Sequence, residues 1–116
     1  MSKPRLKVEE QGEVTLISFL DRRISDERTI QAIAEQLGAL VEEGNSKLLL
    51  NFAGVEYLSS AALGKLINLH KKLGGSEGTL SMCNMVPQVF DVFAITKLDK
   101  DFNICADEAA AKAVLE

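Results

Sequence analysis

Two adjacent serines, Ser59 and Ser60, are the residues of this sequence best placed to do chemistry, because they separate two different apolar patterns. Leu48 to Leu50 form a continuously apolar run, extended by Phe52, which predicts a strand buried on both faces. From Ser60 the apolar residues recur at helical spacing. A serine at a helix start can cap the unpaired N–H groups, which is the simpler interpretation. It could also carry a phosphoryl group, whose charge of about −1.5 to −2 the helix dipole tolerates there.

The other reactive side chains do not form a complete catalytic or metal-binding set. His70 is the one histidine, and it lies on or beside the apolar stripe of its helix without the partners that a triad or a zinc site needs. Cys83 and Cys105 are far apart in the sequence, in apparent strands, and are expected to be buried free thiols. Neither the dinucleotide-binding nor the P-loop glycine pattern is present in the sequence. We therefore expect a protein that is not an enzyme, with no cofactor and no metal.

The elements that would position the two serines follow from periodicity and turn residues. Ser25 or Asp26 is a suitable cap for the first helix, and Gly44 a suitable terminator. Pro87 suits the first turn of a later helix. The predicted strands are Leu6 to Glu10, Val14 to Leu20, Lys47 to Phe52, Thr79 to Met85 and Phe102 to Cys105. The predicted helices are Thr29 to Glu42, Ser60 to Leu73, Pro87 to Thr96 and a last one that begins at Asp107 or Ala106. The stretch Ile24 to Glu27 is predicted to be a loop, and residues 74 to 78 a glycine-rich turn.

This order of elements predicts an α/β fold. The first two strands form a hairpin, and the alternation that follows predicts a mixed β-sheet of four to five strands packed against about four helices. The chain has 116 residues, of which 47% are hydrophobic and 26% charged. That length suffices for one core without disulfides or metals, so residues 1–116 are expected to form a single domain.

Charge and hydropathy limit the partners. The net charge of −4 argues against a general nucleic-acid binder, which needs a basic face. No apolar run approaches the length of a membrane span, and the N-terminus lacks a signal-peptide core. We expect a cytoplasmic protein that binds neither nucleic acid nor membrane and is a monomer or a weak dimer.

The segment from Asn51 to Ile67 resembles the signature of the STAS domain family, which includes the anti-sigma factor antagonists. Val55 and Tyr57 match its valine-x-aromatic pattern, and Leu63 and Gly64 match its leucine-glycine pair. The order of elements fits as well, so the resemblance covers nearly the whole chain and implies a STAS-like fold. It places the family's phosphorylated serine on Ser60, with Ser59 as second choice.

The signature also differs from the family pattern at four positions. Asn51 replaces its first aspartate and Ser59 replaces the aspartate before the phosphorylated serine. Ala61 and Ala62 replace a hydroxyl residue and a glycine, which favours a stiffer helix start. Ser59 could therefore substitute as a hydroxyl, or could itself be the modified residue.

The resemblance implies an anti-sigma factor antagonist that binds an anti-sigma factor serine kinase when unmodified and is released by phosphorylation of Ser60. A serine phosphatase would reverse the modification. Asp21, Arg22 and Arg23 are candidate partner contacts, although they could equally be solvated charges. Ser59, Asn51, Gly54 and Gly64 are expected to shape the loop, and Ala61, Leu63 and Lys65 to contact the partner. The alternative is a non-phosphorylated STAS scaffold or a nucleotide- or small-ligand-binding module in a signalling assembly.

Overall fold

The structure of the protein is a computed structural model, which describes residues 5–75 and 78–116. Within these residues the strands are β1 (Leu6–Gln11), β2 (Val14–Phe19), β3 (Arg23–Ile24), β4 (Lys47–Asn51), β5 (Tyr57–Leu58), β6 (Thr79–Cys83) and β7 (Asn103–Cys105). The helices are α1 (Glu27–Glu42), α2 (Ser60–Gly75), α3 (Pro87–Ile95) and α4 (Glu108–Leu115).

The main sheet has five strands in the order β1-β2-β4-β6-β7. Strands β1 and β2 pair antiparallel as the predicted hairpin, whereas β4, β6 and β7 join the sheet in parallel. A second, two-stranded sheet is formed by β3 and β5. The prediction of an α/β fold, with a mixed β-sheet of four to five strands packed against about four helices, is confirmed.

The central strand β4 contributes to two hydrophobic clusters, one on each face of the sheet. Leu48 and Leu50 belong to the larger cluster, which also contains the buried residues of α1 and α2. Leu49 belongs to a smaller cluster with Ala111 and Leu115 of α4. All three leucines of β4 are at most 1% exposed, as the continuous apolar run predicted.

Capping residues fix the ends of the helices. The Asp26 carboxylate accepts a hydrogen bond from the Thr29 N–H at 3.0 Å, so α1 begins at Glu27, slightly before the predicted start. Gly44 follows the end of α1 with φ +98°, a conformation that suits glycine. Pro87 opens α3, as predicted.

Three local predictions differ from the structure. Ile24 to Glu27 is not a loop, because Ile24 pairs with Leu58 and Glu27 starts α1. The strand expected to reach Met85 ends at Cys83, and Asn84 turns the chain with φ 58°. Of the predicted glycine-rich turn, Gly74 and Gly75 belong to the end of α2, while residues 76 and 77 lie outside the described residues. No helix in the described ranges is long and apolar enough to cross a membrane.

Candidate functional site

Ser59 and Ser60 both lie at the start of α2, but the structure gives them different environments. The Ser59 hydroxyl accepts a hydrogen bond from the Ala62 N–H at 3.2 Å, and the Ser59 carbonyl accepts one from Leu63. Ser59 is therefore the N-cap residue of α2, and it is half-buried. Ser60 is the first helical residue and is exposed. The capping function of a serine at a helix start thus falls on Ser59, whereas Ser60 is exposed.

The two-stranded sheet holds the chain just before the serines. Arg23 pairs with Tyr57 and Ile24 with Leu58, and the Ser59 N–H donates to the Ile24 carbonyl at 3.0 Å. Ile24 and Leu58 are buried, at 2% and 3% exposure. Because both flanking strands are anchored by buried side chains, the start of α2 has a fixed position relative to the segment after β2.

The exposed side of this small sheet carries two pairs of interacting side chains. The Arg22 guanidinium forms an ion pair with the Glu56 carboxylate. The Arg23 guanidinium lies over the Tyr57 ring, 4.7 Å from its centroid. Tyr57 is 42% exposed. These pairs form an exposed surface of mixed charge and aromatic character beside Ser60.

Asp21 is placed differently from the two arginines that follow it. Its carboxylate forms a half-buried ion pair with Arg5 at 3.0 Å, and its Oδ2 atom is buried. Asp21 therefore fixes the end of β2 to the start of β1, whereas Arg22 and Arg23 project from the surface.

Asn51 is the last residue of β4, and its side chain binds the loop that connects β4 to β5. Its Oδ1 atom accepts hydrogen bonds from the Ala53 N–H at 2.9 Å and from the Asn84 side chain at 3.2 Å. The carbonyl-side ends of β4 and β6 are joined by this contact. Gly54 is exposed in the same loop, and a Cβ atom added there would meet only the Phe19 carbonyl oxygen, at a distance of 3.9 Å.

The first turns of α2 divide the remaining candidates into surface and core residues. Ala61 and Lys65 are exposed, and Gly64 is half-buried. Leu63 is only 2% exposed, because its position on the helix directs it into the larger hydrophobic cluster. Leu63 was predicted to contact a partner, and its burial withdraws it from any contact surface of the folded protein.

Charge pairing perturbs the titration of the surface beside Ser60. A hydrogen bond and the positive charge of Arg22 lower the pKa of Glu56, and Glu56 raises the pKa of Arg22 in return. Both groups therefore remain charged over the whole physiological range of pH.

Cavities and metal ligands beside the site are limited. An apolar cavity lined by Ile24, Leu58, Ala62 and Lys65, among others, has a volume of about 10 Å³, which is room for one water molecule. Within residues 5–75 and 78–116 no group of three or more His, Cys, Asp and Glu side chains could hold a metal ion. His70 is half-buried on α2, with its ring 4.9 Å from that of Phe102.

Glu56 and Tyr57 were not among the predicted contact residues. Each is a partner of an arginine that was predicted, and the pairing depends on the alignment of β3 with β5. The signal available in the sequence was the opposite charge of these two short segments. That signal does not show which residues pair, because the pairing depends on the alignment of the two-residue strands.

The domain combines a mixed β-sheet, covering helices, and an exposed serine in the first turn of a helix that a short parallel strand pair holds in place. The sequence model of the STAS domain family matches residues 5–111. The chain belongs to this family.

Individual relatives agree with that membership. The chain is 30% identical over 101 residues to BtrV of Bordetella bronchiseptica, described as a candidate anti-sigma factor antagonist, covering 87% of this chain and 86% of the relative. An anti-sigma factor antagonist from Mycobacterium paratuberculosis superposes with a TM-score of 0.84 at 26% identity, covering 99% and 98% of the two chains. The Bacillus cell fate determinant SpoIIAA, in its phosphorylated form, superposes with a TM-score of 0.71 at 18% identity, covering 94% and 98%.

Proposed function

We propose that this protein is an anti-sigma factor antagonist whose binding to a kinase-type anti-sigma factor is switched off by phosphorylation of Ser60. The observation that carries this proposal is the division of labour between the two serines. The Ser59 hydroxyl is committed to capping α2, while Ser60 is exposed on its first turn. The names of the relatives support the antagonist function, and SpoIIAA is known in phosphorylated and unphosphorylated forms.

The position of Ser60 suits a phosphate without a change of fold. The first turn of α2 contains no acidic residue, so a phosphate there meets the positive end of the helix dipole without repulsion from a carboxylate of the same turn. Ser60 is exposed, so its modification displaces no buried side chain. The phosphate therefore adds about two negative charges to the docking surface and leaves the domain intact.

The proposed docking surface consists of Arg22, Arg23, Ser60, Ala61 and Lys65, all exposed. In the unmodified protein these residues contact the anti-sigma factor. Phosphorylation places a dianion within that contact, and repulsion from acidic groups of the partner or desolvation of the phosphate weakens the complex.

Five further residues support this surface from below. Asn51 and Gly54 shape the loop before the helix, Ser59 caps the helix, and Gly64 leaves space on its side. Asp21 holds the end of β2. Substitutions at these positions should alter binding through the position of Ser60, without a direct contact.

The switch would be completed by two partner enzymes. An anti-sigma factor with serine kinase activity adds the phosphate, and a serine phosphatase removes it. The protein itself acts by binding and not by catalysis, as a single domain in the cytoplasm.

The proposal is tested by incubating the protein with ATP and the candidate kinase encoded beside it, followed by intact mass and peptide mapping. We expect one phosphate, on Ser60, in the wild type and in Ser59→Ala, and none in Ser60→Ala. Phosphate on Ser59 in the wild type would contradict the assignment of the two roles. Complete absence of phosphate with an active kinase would favour the alternative of a non-phosphorylated scaffold or a nucleotide- or small-ligand-binding module.

A further inference from the structure

Cys83 and Cys105 are neighbours in space although 21 residues separate them in the sequence. They are register partners on the adjacent parallel strands β6 and β7. Register partners on parallel strands direct their side chains to the same face of the sheet. Both cysteines accordingly pack in the smaller hydrophobic cluster, on the side of the sheet that α4 covers. The structure therefore brings two thiols together on one face.

The spacing of the strands is compatible with a bond between the two sulfur atoms. Adjacent strands lie about 4.8 Å apart, and disulfides join Cα atoms that are about 4.4–6.8 Å apart. Both cysteines are free thiols in this structure. The Cys105 Sγ is 4.0 Å from the Asn103 carbonyl oxygen, which is a weak contact. Little energy is therefore lost if the Cys105 side chain rotates to bring Sγ toward Cys83.

The two thiols differ in their access to reagents. Cys83 is fully buried, at 0% exposure. Cys105 is half-buried and lines a shallow groove of about 240 Å³ together with Met85, Phe90 and Ile104. Cys105 is therefore the more accessible of the two thiols to a reagent in solution, whereas Cys83 is shielded from it.

We propose that Cys83 and Cys105 are a redox-active thiol pair, which a low-molecular-weight disulfide such as glutathione disulfide converts to an intramolecular disulfide. In the first step the Cys105 thiolate attacks one sulfur of glutathione disulfide, forms a mixed disulfide and releases one glutathione thiolate. In the second step the Cys83 thiol loses its proton, and its sulfur attacks Cys105 Sγ and displaces the second glutathione, which takes up the proton. Two protein thiols are oxidised by two electrons, and one glutathione disulfide is reduced to two glutathione molecules.

The environment of Cys83 makes the rate of the second step depend on pH. Burial raises the pKa of Cys83 to about 11, and the negative charges of Glu108 and Asp107 and the neighbouring Cys105 add to the effect. The other members of its cluster are apolar: Val14, Leu16, Leu49, Ala111 and Leu115. Because only the thiolate attacks, closure of the disulfide should accelerate as the pH is raised from 7 toward 11. This inference is independent of the function proposed for Ser60.

The test is incubation of the reduced, native protein with glutathione disulfide, followed by an acid quench, alkylation of free thiols, intact mass and a non-reducing peptide map. We expect a monomer that lacks two hydrogen atoms, is not alkylated, and yields one peptide pair joined through Cys83 and Cys105. In Cys83→Ala the reaction should stop at glutathione bound to Cys105, and Cys105→Ser should remain fully reduced.

Three results would overturn the proposal. These are a wild-type protein that stays reduced, one that accumulates the mixed disulfide at Cys105 with Cys83 still alkylated, and one that forms a disulfide-linked dimer. The wild-type result does not depend on the folding of either variant. The circular dichroism of the oxidised protein must match that of the reduced one, since oxidation only after unfolding would also refute the native pairing.

Discussion

Replacing Ser59 with alanine should destabilise the protein without removing Ser60, the serine that we propose is phosphorylated. The Ser59 hydroxyl accepts a hydrogen bond from the Ala62 N–H at 3.2 Å. Ala62 is 4% exposed, so water cannot readily replace the lost hydroxyl. Loss of an N-cap of this kind costs about 1 kcal/mol of unfolding free energy.

Three matched variants separate the cap from other effects of substitution. Ser59→Gly should cost only a few tenths of a kcal/mol, and Ser59→Asp should retain the cap because a carboxylate also accepts from the helix N–H groups. Ser60→Ala changes an exposed residue that does not cap the helix and should stay within about 0.5 kcal/mol of the wild type.

The assay is equilibrium unfolding in urea at neutral pH, followed by circular dichroism. With a slope of roughly 1–3 kcal/mol per molar urea, a loss of about 1 kcal/mol lowers the midpoint by roughly 0.3–1 M. If Ser59→Ala were as stable as Ser60→Ala, the capping role assigned to Ser59 would be wrong, and with it the reason for assigning the phosphate to Ser60.

Four further variants test the packing, the caps and the helix surface. Leu63→Ala should lower the unfolding free energy by about 2–5 kcal/mol, because Leu63 is 2% exposed in the core; a loss under 1 kcal/mol would mean that it does not pack there. A hydrogen bond from the Thr29 N–H lowers the pKa of Asp26 in the folded protein. The stabilisation that the Asp26 carboxylate gives is therefore fully present above its unfolded-state pKa of about 3.9, and it is lost as the pH falls through the lower folded-state pKa. Asp26→Asn should therefore lose less stability than the wild type below about pH 4 in acid titrations, and parallel curves would contradict this linkage. Gly64→Ala should raise the unfolding free energy by up to about 1 kcal/mol, because the added methyl group meets open space and alanine favours a helix more than glycine does. Gly44→Ala should lower the unfolding free energy, because Gly44 has a φ of +98°, which suits glycine. Equal effects of the two variants in urea titrations would contradict these backbone conformations.

The sequence was sufficient to predict the main sheet and the helices, because their apolar patterns are long and each reflects one environment. The run from Leu48 to Leu50 has no polar member, and it forms the strand with core on both faces. Gly44, Pro87 and Asp107 are capping or terminating residues whose local chemistry decides their position without tertiary information. Such features are read correctly from a single sequence.

The small second sheet could not be predicted in the same way. Its strands have two residues each, too few to show a period, and Ile24 is followed by a polar segment that resembles a loop. The pairing of Arg22 with Glu56 exists only once this sheet aligns the two segments. The motif placed the family's phosphorylated serine on Ser60, with Ser59 as second choice, but it did not show which serine caps the helix. The cap depends on which hydroxyl accepts from the Ala62 N–H, which is a property of the folded helix start.

The most direct test of the proposed phosphorylation switch is a comparison of two affinities at the same ionic strength. One is the affinity of the candidate anti-sigma factor for the protein carrying phosphate on Ser60, and the other is its affinity for the unmodified protein. Calorimetry or surface plasmon resonance gives both dissociation constants. We expect the phosphorylated protein to bind at least about tenfold more weakly, by roughly 1.4 kcal/mol, because about two negative charges are added to the docking surface. Equal affinities, with the phosphate confirmed on Ser60 by mass spectrometry, would show that phosphorylation at the start of α2 does not control binding.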